Sequence, residues 1–112
     1  MREIEFRGIC KYSSNWIYGL KDNSFWNNID LNTLGQYTGL KDKNGTKIYE
    51  GDVLMDGIGI DGIVVWVDAI AQFSVDVNNQ LFMLNKGNPT KSLQLGYTTV
   101  IGNIHENKEL IK

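Results

Sequence analysis

A chain of 112 residues, 42% of them apolar, suits one compact domain and leaves little room for two. Its formal net charge of −2 lacks the basic bias of a typical nucleic-acid binder. One Cys and one His exclude an intrachain disulfide, a Cys-rich zinc site and a two-His metal motif, and leave little for a Ser-His-Asp triad.

The opening Met1-Arg2-Glu3-Ile4-Glu5-Phe6-Arg7 carries four charges in seven residues, unlike an apolar signal segment. Ile4, Phe6, Gly8 and Cys10 alternate with Glu3, Glu5 and Arg7, which predicts a half-buried strand with Arg7 on the solvent face. Trp16 to Leu20 predicts a second strand. From Asp22 to Asn32, Phe25 and Trp26 stand among four asparagines, and a short strand and an irregular loop fit equally. Leu34 to Leu40 reads as a strand. Asn44-Gly45 is a hairpin turn, because both residues tolerate positive φ. Extended structure resumes at Lys47-Ile48-Tyr49. Glu50-Gly51-Asp52 turns the chain, its two carboxylates placed to accept from turn amides, and Val53-Leu54-Met55 opens a further strand.

Ile63 to Val67 is the longest apolar run, five residues against the roughly 20 that span a bilayer, and fits a central strand with Trp66 in the core. With Phe73, Val75 and Val77 and then Leu81 to Leu84, residues 63–84 predict a meander turning at Asn78-Asn79. Lys86 to Gln94 holds the single Pro and reads as a loop, Tyr97 to Ile104 as the last strand. Asn107 is placed to cap a terminal helical turn over Lys108 to Ile111. Seven to nine short strands without a long helix predict a mainly β fold, a small antiparallel barrel.

Several motifs are read against chemistry. Gly57-Ile58-Gly59-Ile60-Asp61-Gly62 spells G-x-G-x-x-G, but a strand-like run follows where a dinucleotide site needs a helix, so the glycines are read as a loop. Residues 51–80 hold five Asp and no Lys, Arg or Glu, a pattern read as local hydrogen bonding at turns or, more sharply, as an acidic face for a basic partner or a divalent cation, although the Asp stand at no known cation-loop spacing. Trp16, Tyr18, Phe25, Trp26, Tyr37 and Tyr49 exceed the aromatic need of one small core. They are assigned to barrel ends or an oligomer interface in preference to a nucleic-acid platform.

Gly35-Gln36-Tyr37-Thr38-Gly39-Leu40-Lys41-Asp42-Lys43-Asn44-Gly45 with Ile48-Tyr49-Glu50-Gly51-Asp52-Val53 resembles the signature of the YopX family of phage and prophage proteins. Arg2 to Arg7, Val65-Trp66, Phe73, and Val100 to Asn107 with Glu109-Leu110 extend the resemblance to nearly the whole chain. The family often has Tyr at the position of His105 and Pro at that of Lys108. The resemblance implies a single domain over 1–112, with N-terminal strands in 1–40 and an SH3-like barrel part in 41–112, and it brings no catalytic residues. The expectation is a cytoplasmic, non-enzymatic module that binds a protein or assembles as a homo-oligomer, without cofactor, metal or membrane. The alternative is single-stranded nucleic-acid binding. The candidate surface is Trp26 and Tyr37 for stacking and Lys41, Lys43 and Lys47 for phosphates.

Overall fold

The computed structural model describes residues 4–19, 23–55, 61–77, 80–85, 92–94 and 98–107. It is mainly β, with little helix. Strands β1 (Phe6–Ile9), β2 (Trp16–Gly19), β3 (Gly35–Lys41) and β4 (Lys47–Tyr49) form one sheet in the order β2-β1-β3-β4. Strands β5 (Asp52–Met55), β6 (Asp61–Val67), β7 (Gln72–Val77), β8 (Gln80–Asn85), β9 (Ser92–Gln94) and β10 (Thr99–Asn103) form a second, in the order β10-β5-β6-β7-β8-β9. Ladders are antiparallel except β8 with β9.

The meander follows the alternation of its residues. Val64 pairs with Val75 and Trp66 with Phe73, and Gly62 lies opposite Leu54 in the next ladder. This face meets Ile48 of β4, so that Ile48, Leu54, Val64, Phe73 and Val75 make one core between the sheets. Leu40, Val77 and Val100 pack around it. The burial is the main stabilising term, at roughly 25 cal/mol per Å² of apolar surface.

Among the described residues no ladder joins the two sheets or closes either into a ring, so the expected barrel is replaced by two open sheets. The cause is the turn at Glu50–Gly51, which ends β4 in one sheet and starts β5 in the other. Gly51 holds φ 91°, a left-handed conformation that favours glycine, and its N–H donates to Val64 O.

Other departures have local causes. Residues Asn23–Asn28 form a short helix, α1, followed by a 3-10 turn over Leu31–Thr33 capped by Asp30. Three of the asparagines that favoured a loop sit within α1, and Phe25 is buried. Trp66 is 41% exposed and not a core residue, because its indole N–H donates to Asp68 beyond the strand end. Ser92–Gln94, read as loop, is strand β9. Of the loop read over Gly57 to Gly62, the last two residues, Asp61 and Gly62, begin strand β6, and the rest lies outside the described residues, as do the turn at 78–79 and the helical turn over 108–111. Asn107 Oδ1 accepts from Asn103 N, four residues earlier.

Candidate functional site

Arg7 is the residue on which the site is built. The strand alternation puts its side chain on a polar face, yet Arg7 is only 6% exposed. That face of β1 looks toward the second sheet. Arg7 Nη2 donates to Asp52 Oδ1 at 2.6 Å, and Asp52 is 1% exposed. Asp52 Oδ2 accepts from Tyr49 N at 2.8 Å, which ties the ion pair to the inter-sheet turn. The guanidinium carbon lies 4.4 Å from the Trp16 ring centroid and 4.7 Å from that of Tyr49. The cation is thus held between two aromatic faces by the pull of their quadrupoles. Arg7 Nε is buried with no hydrogen-bond partner among the described residues, since the rings beside it offer π density in place of an acceptor. Burial pushes the Asp52 carboxyl up to about 6 against the opposing pull of Arg7.

A cleft of about 500 Å³ opens above this centre, between the two sheets. Trp16 and Tyr18, two apart on β2, project from one strand face into it. Tyr18 is 54% exposed and meets Tyr49 edge-on. The opposite wall comes from Val100, Gly102, Asn103 and Glu106. Asn103 shapes that wall, its Oδ1 accepting from the backbone N–H groups of His105 and Glu106. The turn aims Glu106 back at β2, where Glu106 Oε1 accepts from Trp16 Nε1 at 2.6 Å and from Asn103 Nδ2 at 3.1 Å. The bond from Trp16 is the main reason that the Glu106 carboxyl sits below its ordinary range. On a third side Lys47 pairs with Glu5 at 3.2 Å and places its ammonium 5.1 Å from the Tyr37 ring centre.

The five residues expected to form a binding surface are dispersed. Lys47 lines the cleft, paired with Glu5. Tyr37 is a core residue, 3% exposed, with its ring tilted against Tyr49. Its burial removes it as a stacking platform. Lys41 and Lys43 are exposed at the β3–β4 hairpin. Trp26 lies on α1, packed edge-on against Phe25. The expected pairing of Asp52 with a turn amide is present. Arg7, Asp52 and Glu106 were not singled out as a site. The signal for Arg7 lay in its contrast with Glu3 and Glu5, the carboxylates that precede it in sequence, which alternation alone assigns to the same solvated face.

Among the described residues no group of three or more His, Cys, Asp or Glu is placed to hold a metal ion. No described helix is long and apolar enough to cross a membrane. The family model of the YopX protein matches residues 2–112. The crystal structure of protein EF1440 from Enterococcus faecalis is similar in fold, with a TM-score of 0.67 and 24% identity, all of both chains being covered. Among curated proteins none matches the chain.

Proposed function

The chain belongs to the YopX protein family, and from this premise and the geometry of its cleft we propose that it is a non-enzymatic binding module that takes a segment of a partner protein between its two sheets. The carrying observation is that the cleft's charged side chains are already held in place by groups of the chain itself. Arg7 is engaged with Asp52, Lys47 with Glu5, and Glu106 with Trp16 and Asn103. Such preorganised groups present a shape and a charge pattern, which favours recognition. The exposed Tyr18 ring beside Trp16 supplies the aromatic contact that protein interfaces favour. The setting in this reading is the cytoplasm of a cell carrying a phage or prophage. The SH3-like description belongs to the same proposal, supported by β10 returning beside β5, the first strand of the meander.

The test is selection of peptides from a display library on the wild-type chain, followed by titration against Tyr18→Ala. Selected peptides are expected to bind the variant about tenfold more weakly, the loss of one well-buried aromatic contact. Recovery of no peptide, or equal binding to both, overturns the reading. Light scattering shows whether a second copy of the chain serves as the partner.

One observation favours nucleic acid as the second reading. Lys41 and Lys47 are register partners and Lys43 lies in the turn between them, so one hairpin carries three cations. Single-stranded binding there is read by fluorescence anisotropy with labelled oligonucleotides. The expected signature is an affinity that falls steeply with added salt, and loss on Lys41→Gln with Lys43→Gln.

A further inference from the structure

Glu106 differs from the other charged residues of the cleft. Its Oε1 accepts both of its hydrogen bonds, from Trp16 Nε1 and Asn103 Nδ2, and both donors are neutral. Among the described residues Oε2 has no partner, and the side chain is exposed at the cleft wall. Arg7 and Asp52 cancel one another, as do Lys47 and Glu5. The charged residues of the cleft lining therefore sum to one negative charge, with Glu106 held by two neutral donors and drawn more weakly by Arg7 and His105. Tyr18, a residue 54% exposed, lines the same cleft two positions from Trp16 on β2.

A fixed carboxylate and an exposed aromatic ring lining one cleft are the groups that attract a cationic side chain. The molecule already shows this chemistry internally, for Arg7 lies over Trp16 and Tyr49 against the Asp52 carboxylate. Charge on the larger scale agrees. The net charge is −2, and the cleft lining itself carries Glu5, Asp52 and Glu106 against Arg7 and Lys47. We infer that the cleft receives an arginine side chain from a basic segment of the partner protein, its guanidinium paired with Glu106 and laid over Tyr18. Arginine suits the place better than lysine because its planar fork both meets a carboxylate and stacks on a ring. The inference rests on the reading of the chain as a protein-binding module.

The experiment is a nuclear magnetic resonance titration followed at the Trp16 indole N–H, assigned by its loss in Trp16→Phe. The probes are three hexapeptides of one framework carrying two arginines, two citrullines or two glutamates. Citrulline keeps the shape of arginine and removes its charge. The arginine peptide is expected to shift the Trp16 signal, and the citrulline peptide to bind about tenfold more weakly, the equivalent of about 1.4 kcal/mol. Glu106→Gln keeps an oxygen acceptor for Trp16 and Asn103, so the variant is expected to stay folded with a slightly lower melting temperature while losing about tenfold in arginine-peptide affinity. Tyr18→Ala, at an exposed position, is the second variant and is expected to weaken the same peptide.

Equal binding of the arginine and citrulline peptides overturns the inference, as does undiminished binding to Glu106→Gln. If the glutamate or citrulline peptide moves the Trp16 signal and arginine adds nothing, the guanidinium assignment fails and the peptide-binding reading stands. If no peptide of any charge moves it, and display selection recovers none, both fail.

Discussion

Arg7 and Asp52 are 45 residues apart in the chain and 2.6 Å apart in space. Removing one partner of such a pair leaves the other charge buried without compensation, at a cost of about 3–5 kcal/mol. Replacing both with apolar residues removes the uncompensated charge. Arg7→Met and Asp52→Leu are therefore each expected to lower the urea midpoint strongly, and the double variant less than the sum of the two. Chemical denaturation of all four members of the cycle checks this. The pH response of Asp52 has a definite sign. Its carboxyl lies at about 6 in the folded chain and at the ordinary 3.8 when unfolded. As pH falls through 6, the folded chain takes up a proton that the unfolded chain does not yet bind, so this group adds stability on mild acidification. Glu50, also raised by burial, acts in the same direction. Glu106, which is lowered, gives stability that is lost only at more acid pH. The wild-type midpoint minus that of Asp52→Asn is thus expected to rise between about pH 7 and about pH 5. None of this was readable from alternation in β1, because a period of two separates faces and does not say whether the second face meets water or another sheet.

At the scale of elements, strands were the most legible part. β1, β2 and the β5–β8 region were marked by alternation and by β-branched runs bounded by turn formers. Asn44-Gly45 falls in the β3–β4 turn, where Asp42 adds what spacing could not reveal. Asp42 Oδ1 accepts from Asn44 N and Thr46 N, while Oδ2 accepts from Val100 N on β10. One carboxylate thus shapes a hairpin and fastens it to the other sheet. Helix α1 was missed because six residues are too few for a helical period to register. The strand pair β6–β7 carries a sharper constraint. A Cβ placed on Gly62 would lie 2.6 Å from both Val75 Cγ1 and Val77 Cγ2 and 2.9 Å from Asp76 O. Branched valines held in a ladder have little rotamer freedom with which to withdraw. Gly62→Ala is expected to destabilise by about 1–3 kcal/mol, read from thermal melting. The G-x-G-x-x-G run ends on this glycine, whose role here is close packing in a strand.

For the whole molecule, the mainly β class and the family were legible, and the division into two sheets was not. Composition and strand count are the same for a closed barrel and for two open sheets. What separates them is the turn at Gly51 and the partners its neighbours find across the gap. The candidate cleft was hidden for the same reason, since its walls come from β1 and β2 at one end of the chain and from residues 100–106 at the other. The surplus aromatics are assigned by sequence to barrel ends or an oligomer interface, whereas three of them, Trp16, Tyr18 and Tyr49, line the cleft. The bond between Trp16 and Glu106 joins residues 90 apart. A contact of that separation waits on chain closure, whereas β6 and β7 meet across a short turn. Loop-closure entropy orders such events, local hairpins first and distant pairings last. The β6–β7 hairpin is thus expected to gain amide protection early in refolding, and the Trp16 indole to reach its native signal late, in pulse-labelled exchange. Until that moment a chain still being folded displays its hairpins without the cleft between its sheets, so the candidate site is completed only as the final step of its own maturation.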